Sequence, residues 1–218
     1  MSKITVHRIE NPTGKDIDHM TDVHVKAYDG DPMIQVMLGG NWSLSADLGR
    51  AMLRATLLEG HVYAVKDEND KVVAFGSWFA PGVGLFSSPE QRALGFDEFF
   101  QKLDPETQYW FSHTYPEATE KYDEALFTDE ERRRRWWCFN LVTSPENQGR
   151  GYATAIVNHG YRKAQDAGGF IGLATSRPVN VEKYLSMGLR ERGTFKVLTP
   201  KGDLTNHVLI REDSAEDT

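Results

Sequence analysis

A single α/β domain built round one central sheet is the architecture this sequence predicts, and three observations predict it. Short β-rich runs alternate with helical patterns in the order β-α-α-β-β, a long middle segment, then β-α-β-α-β-β. Alternation of this kind builds a sheet with helices on its faces. Residues 136–143 (Trp-Trp-Cys-Phe-Asn-Leu-Val-Thr) are a nearly continuous apolar and aromatic run, as suits a central strand covered on both sides. Finally, 218 residues, 39% hydrophobic and 26% charged, are enough to bury about 70% of the unfolded chain's surface without a disulfide or metal. The whole chain, 1–218, therefore reads as one domain.

Each element has a local reason. Residues 4–9 alternate and predict a strand. Residues 16–28 carry Ile17, Met20, Val23, His24 and Ala27 at helical spacing, and Asp29-Gly30-Asp31-Pro32 breaks that helix. A second helix covers 44–58, with Leu44, Leu48, Met52 and Leu53 on one face and Gly60 placed as a C-cap glycine. Residues 61–65 and 72–79 are β-rich and joined by a charged turn, which predicts an antiparallel hairpin. Helical patches follow at 90–103 and 109–119. Residues 151–167 form the strongest helix, with Ala153, Ile156, Val157, Gly160, Tyr161 and Ala164 in one stripe. A short buried strand at 170–175, a helix at 180–187 and closing strands at 189–198 and 206–211 complete the chain.

Composition narrows the function. The net charge of −7 argues against nucleic acid as the partner. The uncharged stretch 72–86 is 15 residues and holds Pro81, short of the roughly 20 apolar residues of a membrane span. The N-terminus has no apolar core of a signal peptide, so the chain is expected to be soluble and cytoplasmic, with no membrane partner. The single cysteine, Cys138, excludes an internal disulfide or a Cys-rich zinc site, and no metal is expected. In the middle of a buried strand, Cys138 reads as core packing.

Charge is unevenly spread. Residues 82–131 hold twelve acidic and three basic side chains, and 212–218 form an acidic tail, expected to be flexible. The middle segment is also rich in aromatics: Phe96, Phe99, Phe100, Tyr109, Trp110, Phe111, Tyr115 and Tyr122. Long connections are often functional, and this one is expected to act as a lid that draws in a cationic amine with an apolar part. The alternative is a helical cover packed on the sheet or on a second subunit, making a homodimer. Arg132 to Arg135 reads as a solvated approach to the strand, with charge balance against the acidic segment as the alternative.

The chemistry centres on 141–154, where the buried strand runs into the turn Gln148-Gly-Arg-Gly151 and then a helix. The first amides of a helix have no partner within it, and with the helix dipole they form an anion site. Gly149 and Gly151 let a bulky anion approach the backbone, and Arg150 adds charge. The turn is neither a Walker loop nor a dinucleotide fingerprint.

Gln148-Gly-Arg-Gly151-Tyr-Ala153 resembles the acetyl-CoA motif Gln/Arg-x-x-Gly-x-Gly/Ala of the GCN5-related N-acetyltransferase (GNAT) superfamily, small-molecule type. Asn180-x-x-x-Tyr184-x-x-x-Gly188 resembles the element that closes the cofactor site in many of its members, with Leu189 where they usually have Phe. The resemblance covers 134–211 well and 3–80 by element order. It implies the GNAT fold, a mixed central sheet of about six to seven strands flanked by helices, with 82–131 as a helical insert between strands 3 and 4. It also implies acetyl-CoA as cosubstrate and N-acetyl transfer to a small-molecule amine by direct attack in a ternary complex.

Roles follow from the same resemblance. The backbone of Leu141, Val142 and Thr143 would pair with pantetheine, and Gln148, Gly149, Arg150, Gly151, Tyr152, Ala153 and Thr154 would hold the pyrophosphate. Asn180 would bond the pantetheine arm, unless it is merely a helix N-cap. Tyr184 would protonate the departing thiolate, unless it is a packed core tyrosine. The glutamate that many members carry on the central strand is missing, so the base is not identified by resemblance. Asp31 and His113 are the candidates, with ordinary loop polarity as the plainer reading of each. The other functions left open are a non-catalytic acyl-CoA-binding or sensing domain and a protein N-acetyltransferase.

Overall fold

The computed structural model describes residues 4–200 and 202–213. Seven strands form one mixed sheet in the order β1-β2-β3-β4-β5-β7-β6. They are β1 (His7–Ile9), β2 (His61–Lys66), β3 (Val72–Phe79), β4 (Arg135–Thr143), β5 (Phe170–Thr175), β6 (Arg190–Val197) and β7 (Leu204–Arg211). Only β4 and β5 run parallel. The other neighbours are antiparallel.

Helix α1 (Gly14–Ala27) starts at a capping box between Thr13 and Asp16, which satisfies two otherwise orphaned N–H groups. The chain then enters a one-and-a-half-turn helix, α2 (Pro32–Met37), which the break at 29–32 did not foretell. Helix α3 (Ser45–Glu59) packs with α1 on one face of the sheet, around Met20, Val23, Leu53, Val62, Phe75 and Val142. Gly60 does follow α3, but in an extended conformation. Glycine is needed there for space, because a Cβ would come within 2.6 Å of the Trp78 carbonyl oxygen.

Between β3 and β4 lie α4 (Pro89–Arg92), α5 (Phe96–Gln101), α6 (Pro105–Tyr109), a π-helical turn (Trp110–Thr114), α7 (Tyr115–Leu126) and α8 (Asp129–Arg134). The first expected patch is split by Gly95, whose φ is 125°. Most of the segment's aromatics fill cores. Phe96 and Phe99 are buried against α2 and α3, with Phe100 and Phe111 beside them. Trp110 is buried with Val36 and Val197, and only Tyr109 is largely exposed.

Part of this segment's acidic surplus is paired. Asp123 pairs with Arg135 at 2.6 Å, Glu131 with Arg192 at 2.9 Å and Asp97 with Arg92 at 3.0 Å. Arg132 pairs with Asp129. The expected solvated approach to β4 is therefore replaced by packing: the Arg135 guanidinium lies over the rings of Phe127 and Trp137, at 4.2 and 4.7 Å.

The opposite face carries α9 (Tyr152–Asp166), whose Ile156, Val157, Tyr161 and Ala164 pack on Tyr63, Trp78, Trp136 and Cys138. Helix α10 (Pro178–Ser186) has no fully buried residue, and leans Val181 and Tyr184 onto the same core. The closing strands form a hairpin, but β7 slots between β5 and β6. The acidic tail lies outside the described residues from 214 onward. Its first members are held to the body: Glu212 by Arg134 at 2.6 Å, and Asp213 by Tyr161 and Gln165.

Candidate active site

The site is made by a strand pair that comes apart. β4 and β5 are in register from Arg135↔Phe170 to Cys138↔Leu173, and no further. From Phe139 onward β4 keeps only β3 as a partner, leaving the edge of Asn140–Thr143 that would face β5 without a strand. The parting coincides with a bulge. The register against β3 passes from Ser77↔Asn140 to Trp78↔Cys138, so Phe139 is the extra residue. A bulge inserts one residue and bends its strand, and an odd insertion reverses which side each later residue faces. Trp136 and Cys138 accordingly face the α9 core, while Val142 packs with α1 and α3.

At its far end β4 leads through Ser144 and a 3-10 turn (Pro145–Asn147) into the glycine turn. Gly149 and Gly151 have φ of 75° and 81°, values that favour glycine. Gly151 is the N-cap of α9 and supplies no side-chain cap. Among the described residues, the amides of Gly149 to Thr154 find no hydrogen-bond partner. Space above Gly149 is open, with nothing within 4 Å of where a Cβ would stand. Gln148 Nε2 reaches back to the Thr143 carbonyl at 3.4 Å, and Arg150 to that of Glu146 at 3.4 Å. Leu141 leans on the α9 core, whereas the Val142 side chain is buried on the other face. Tyr152, Ala153 and Thr154 are half-buried in the first turn of α9.

Asp31 and Tyr184 stand within electrostatic reach of one another. Tyr184, on α10, packs its ring on the core, and its hydroxyl has no hydrogen-bond partner among the described residues. Burial, with the charges of Cys138 and Asp31, pushes its pKa up, so it stays protonated. Asp31 is only 7% exposed. Its Oδ1 accepts from the amides of Met33 and Ile34, at 3.0 and 3.1 Å, as the N-cap of α2. Oδ2 has no protein partner among the described residues. Burial raises the Asp31 pKa, opposed by those two amides and by the charge of Arg177.

His113 is not brought to this place. It is exposed on the π-helical turn, stacked on Tyr109 at 4.4 Å. Asn180 is not an N-cap; that position belongs to Arg177, and Asn180 lies in the first turn of α10. Cys138 is buried, its thiol donates to the Asn140 carbonyl at 3.2 Å, and burial pushes its pKa far up. It packs rather than reacts.

Three residues at the site escaped the sequence reading. Tyr28 Oη donates to Asn140 Oδ1 at 3.3 Å, and Arg177 stands at the end of β5 within the electrostatic reach of Asp31. Tyr28 was legible only as the residue before the Asp29-Gly30 break, and Asn140 as the one polar side chain inside an apolar strand.

Among the described residues, no helix is long and apolar enough to cross a membrane. No protein-family model matches the chain, and no curated protein sequence matches it significantly. Solved structures do. Arylalkylamine N-acetyltransferase 2 of Aedes aegypti superposes with a TM-score of 0.62 at 12% identity, over 94% of this chain and 98% of that one. The histone acetyltransferase HPA2 and related acetyltransferase of Corynebacterium glutamicum gives 0.61 at 17%, over 97% and 98%. The Drosophila melanogaster polyamine N-acetyltransferase, which forms N-acetylagmatine, gives 0.57 at 13%, over 96% and 100%. At such identities the likeness is one of fold.

Proposed function

We propose that this chain, whose fold is that of the GNAT acetyltransferases, is an acetyl-CoA-dependent N-acetyltransferase acting on a small-molecule amine by direct attack within a ternary complex. The observation that carries the reading is the parting of β4 from β5, which opens from the uncapped N-terminus of α9 at one end to Tyr184 and Asp31 at the other. The residues fit the cosubstrate. The free edge of 141–143 can hydrogen-bond an extended amide-bearing arm as a further strand would. The open amides of Gly149 to Thr154 suit a pyrophosphate, and the Asn180 side-chain amide, without a partner among the described residues, would bond the arm.

Acetyl-CoA, when bound, supplies an acetyl group already activated as a thioester. The chain's own residues move protons. The ammonium of the acceptor must lose one before its lone pair can attack, and Asp31 Oδ2 is the free basic oxygen. A carboxyl pKa raised by burial makes the carboxylate a stronger base than an ordinary aspartate. Tyr184, held protonated, donates to the departing sulfur. Phe139, half-buried at the bulge, offers apolar surface to the acceptor's body. The solved neighbours named for arylalkylamines and polyamines support a small amine as the acceptor class.

The direct test is release of free thiol from acetyl-CoA over a panel of small amines. Amine-dependent release supports the proposal. CoA binding without it would make the chain a binding or sensing domain, and neither would overturn the reading altogether. Asp31 sets the pH dependence. Because the carboxylate must be ionised to act, kcat/KM should rise with pH through a value above the ordinary carboxylate range. Asp31→Asn keeps the Oδ1 cap of α2 and removes the base. It should abolish that acid limb and cost about tenfold near pH 8, less than a base usually contributes because water and free amine share the task there. An acid limb that survives in the variant would remove Asp31 from the mechanism.

A further inference from the structure

We propose that Tyr28 and Asn140 are positioning residues, whose mutual hydrogen bond clamps the turn carrying Asp31 against the splayed end of β4. The inference rests on Asp31 as the base and deepens that reading.

The turn is short and fixed at both ends. Asp31 N–H donates to the Tyr28 carbonyl at 2.9 Å, and Gly30 turns the chain with φ of 69°. Beyond it, the Asp31 carboxylate is pinned to the start of α2 through Oδ1. Before it, Tyr28 N–H donates to the His24 carbonyl and closes α1 at 3.0 Å. Apolar packing of α1 and of the Tyr28 ring seats this end of the helix on the sheet, and a side-chain hydrogen bond from Tyr28 Oη to Asn140 Oδ1 at 3.3 Å ties the turn to β4.

The strand end of the clamp is well seated. Asn140 is 2% exposed, and it reaches the α1 side only because the Phe139 bulge reverses the strand's facing. His24 backs the pair. Its ring lies 4.7 Å from that of Tyr28 and is fully buried. The room it occupies exists because Gly49 has no Cβ, which would stand 2.7 Å from His24 Nδ1. Burial pushes the His24 pKa down to about 4, so no cation forms there at neutral pH to pull the Asn140 amide oxygen away from Tyr28. A buried amide without a partner is costly, and this makes the Tyr28 bond the preferred state of Asn140.

The groups facing the carboxylate are Tyr28 from α1, Tyr184 from α10, Arg177 ahead of α10, and the amides of Met33 and Ile34. With Tyr28 released from β4, the turn can swing outward. Asp31 then gains water and loses its place beside the thioester end of the cleft. Small misplacements of this kind cost reaction rate out of proportion to stability.

The experiment compares the unmodified chain with Tyr28→Phe, Asn140→Leu and the double variant. Tyr28→Phe keeps the ring and its packing, so it is the variant safest for folding. The Asp31 carboxyl is titrated by NMR in protein carrying ¹³C-labelled aspartate, and kcat/KM and CoA affinity are measured beside it. Both single variants should lower the Asp31 pKa toward the ordinary carboxylate value and cut kcat/KM about tenfold, with CoA affinity unchanged. The double variant should be no worse than the worse single, as for two ends of one interaction. An unmoved Asp31 titration in Tyr28→Phe, or effects that simply add, would overturn the clamp. The titration is read whether or not the protein transfers acetyl groups, so an inactive wild type would count against the proposed function and not against this inference.

Discussion

Tyr184→Phe should lower kcat by about 10²-fold or more while leaving KM and CoA affinity close to those of the unmodified chain. The ring is the part of Tyr184 that packs on the α9 core, and phenylalanine preserves it. What is lost is a hydroxyl without a hydrogen-bond partner among the described residues. Burial, with Cys138 and Asp31 nearby, holds its pKa above the ordinary tyrosine value, so the donor keeps its proton across the whole working range. The pH profile provides an independent check: activity should not decline on the alkaline side before the ordinary tyrosine range of about 10 is passed. A variant that keeps its kcat would show that the thiolate leaves unassisted and that Tyr184 only packs.

Gly151→Asp should weaken CoA binding by about 100-fold, equivalent to roughly 2.7 kcal/mol. The charge carries this loss. An aspartate at φ of 81° is strained by about 1–2 kcal/mol, but that strain is present with and without CoA and lowers the stability of the fold rather than the affinity. Its carboxylate would occupy the amides that are open at the start of α9 and oppose a pyrophosphate there. Gly151→Ala separates the two, since it carries the strain without the charge. It brings no clash, because its Cβ would meet only Ile4 Cδ1 at an ordinary 3.6 Å. The charge component should shrink as salt rises, because screening weakens exposed charges. Calorimetry of CoA binding reads both variants, and unchanged affinity in Gly151→Asp would mean that no anion sits at this helix end.

What became of the acidic, aromatic segment shows the limit of composition as a guide. Its charge surplus is real in the sequence, but Arg132, Arg135 and Arg192 come from outside the counted window and neutralise Asp123, Asp129 and Glu131. Its phenylalanines fill the space over α2 and α3. A window count sees neither, because both depend on contacts between residues far apart in sequence. The segment's phenylalanines are therefore packing groups, and three of its carboxylates are held by arginines from outside it.

The sequence by itself determined the element order, the glycine turn at 148–151 and the helix behind it, because those are local matters. Periodicity marks a buried face, and φ near +80° favours glycine. It singled out Tyr184 as a candidate through the resemblance of the stretch from Asn180 to Gly188, and α10 leans that side chain on the core. The tertiary structure alone decided that β7 lies between β5 and β6, that β4 leaves β5 after Cys138, and that Phe139 is a bulge. A strand written as one apolar run carries no mark of where its partner departs, and a one-residue bulge is set by pairing energies along both neighbours. That bulge turns Asn140 toward α1, and the turn after α1 brings Asp31 to the cleft. Asp31 and Tyr184 are 153 residues apart in the chain, and only the packing of α1, β4 and α10 makes them members of one site.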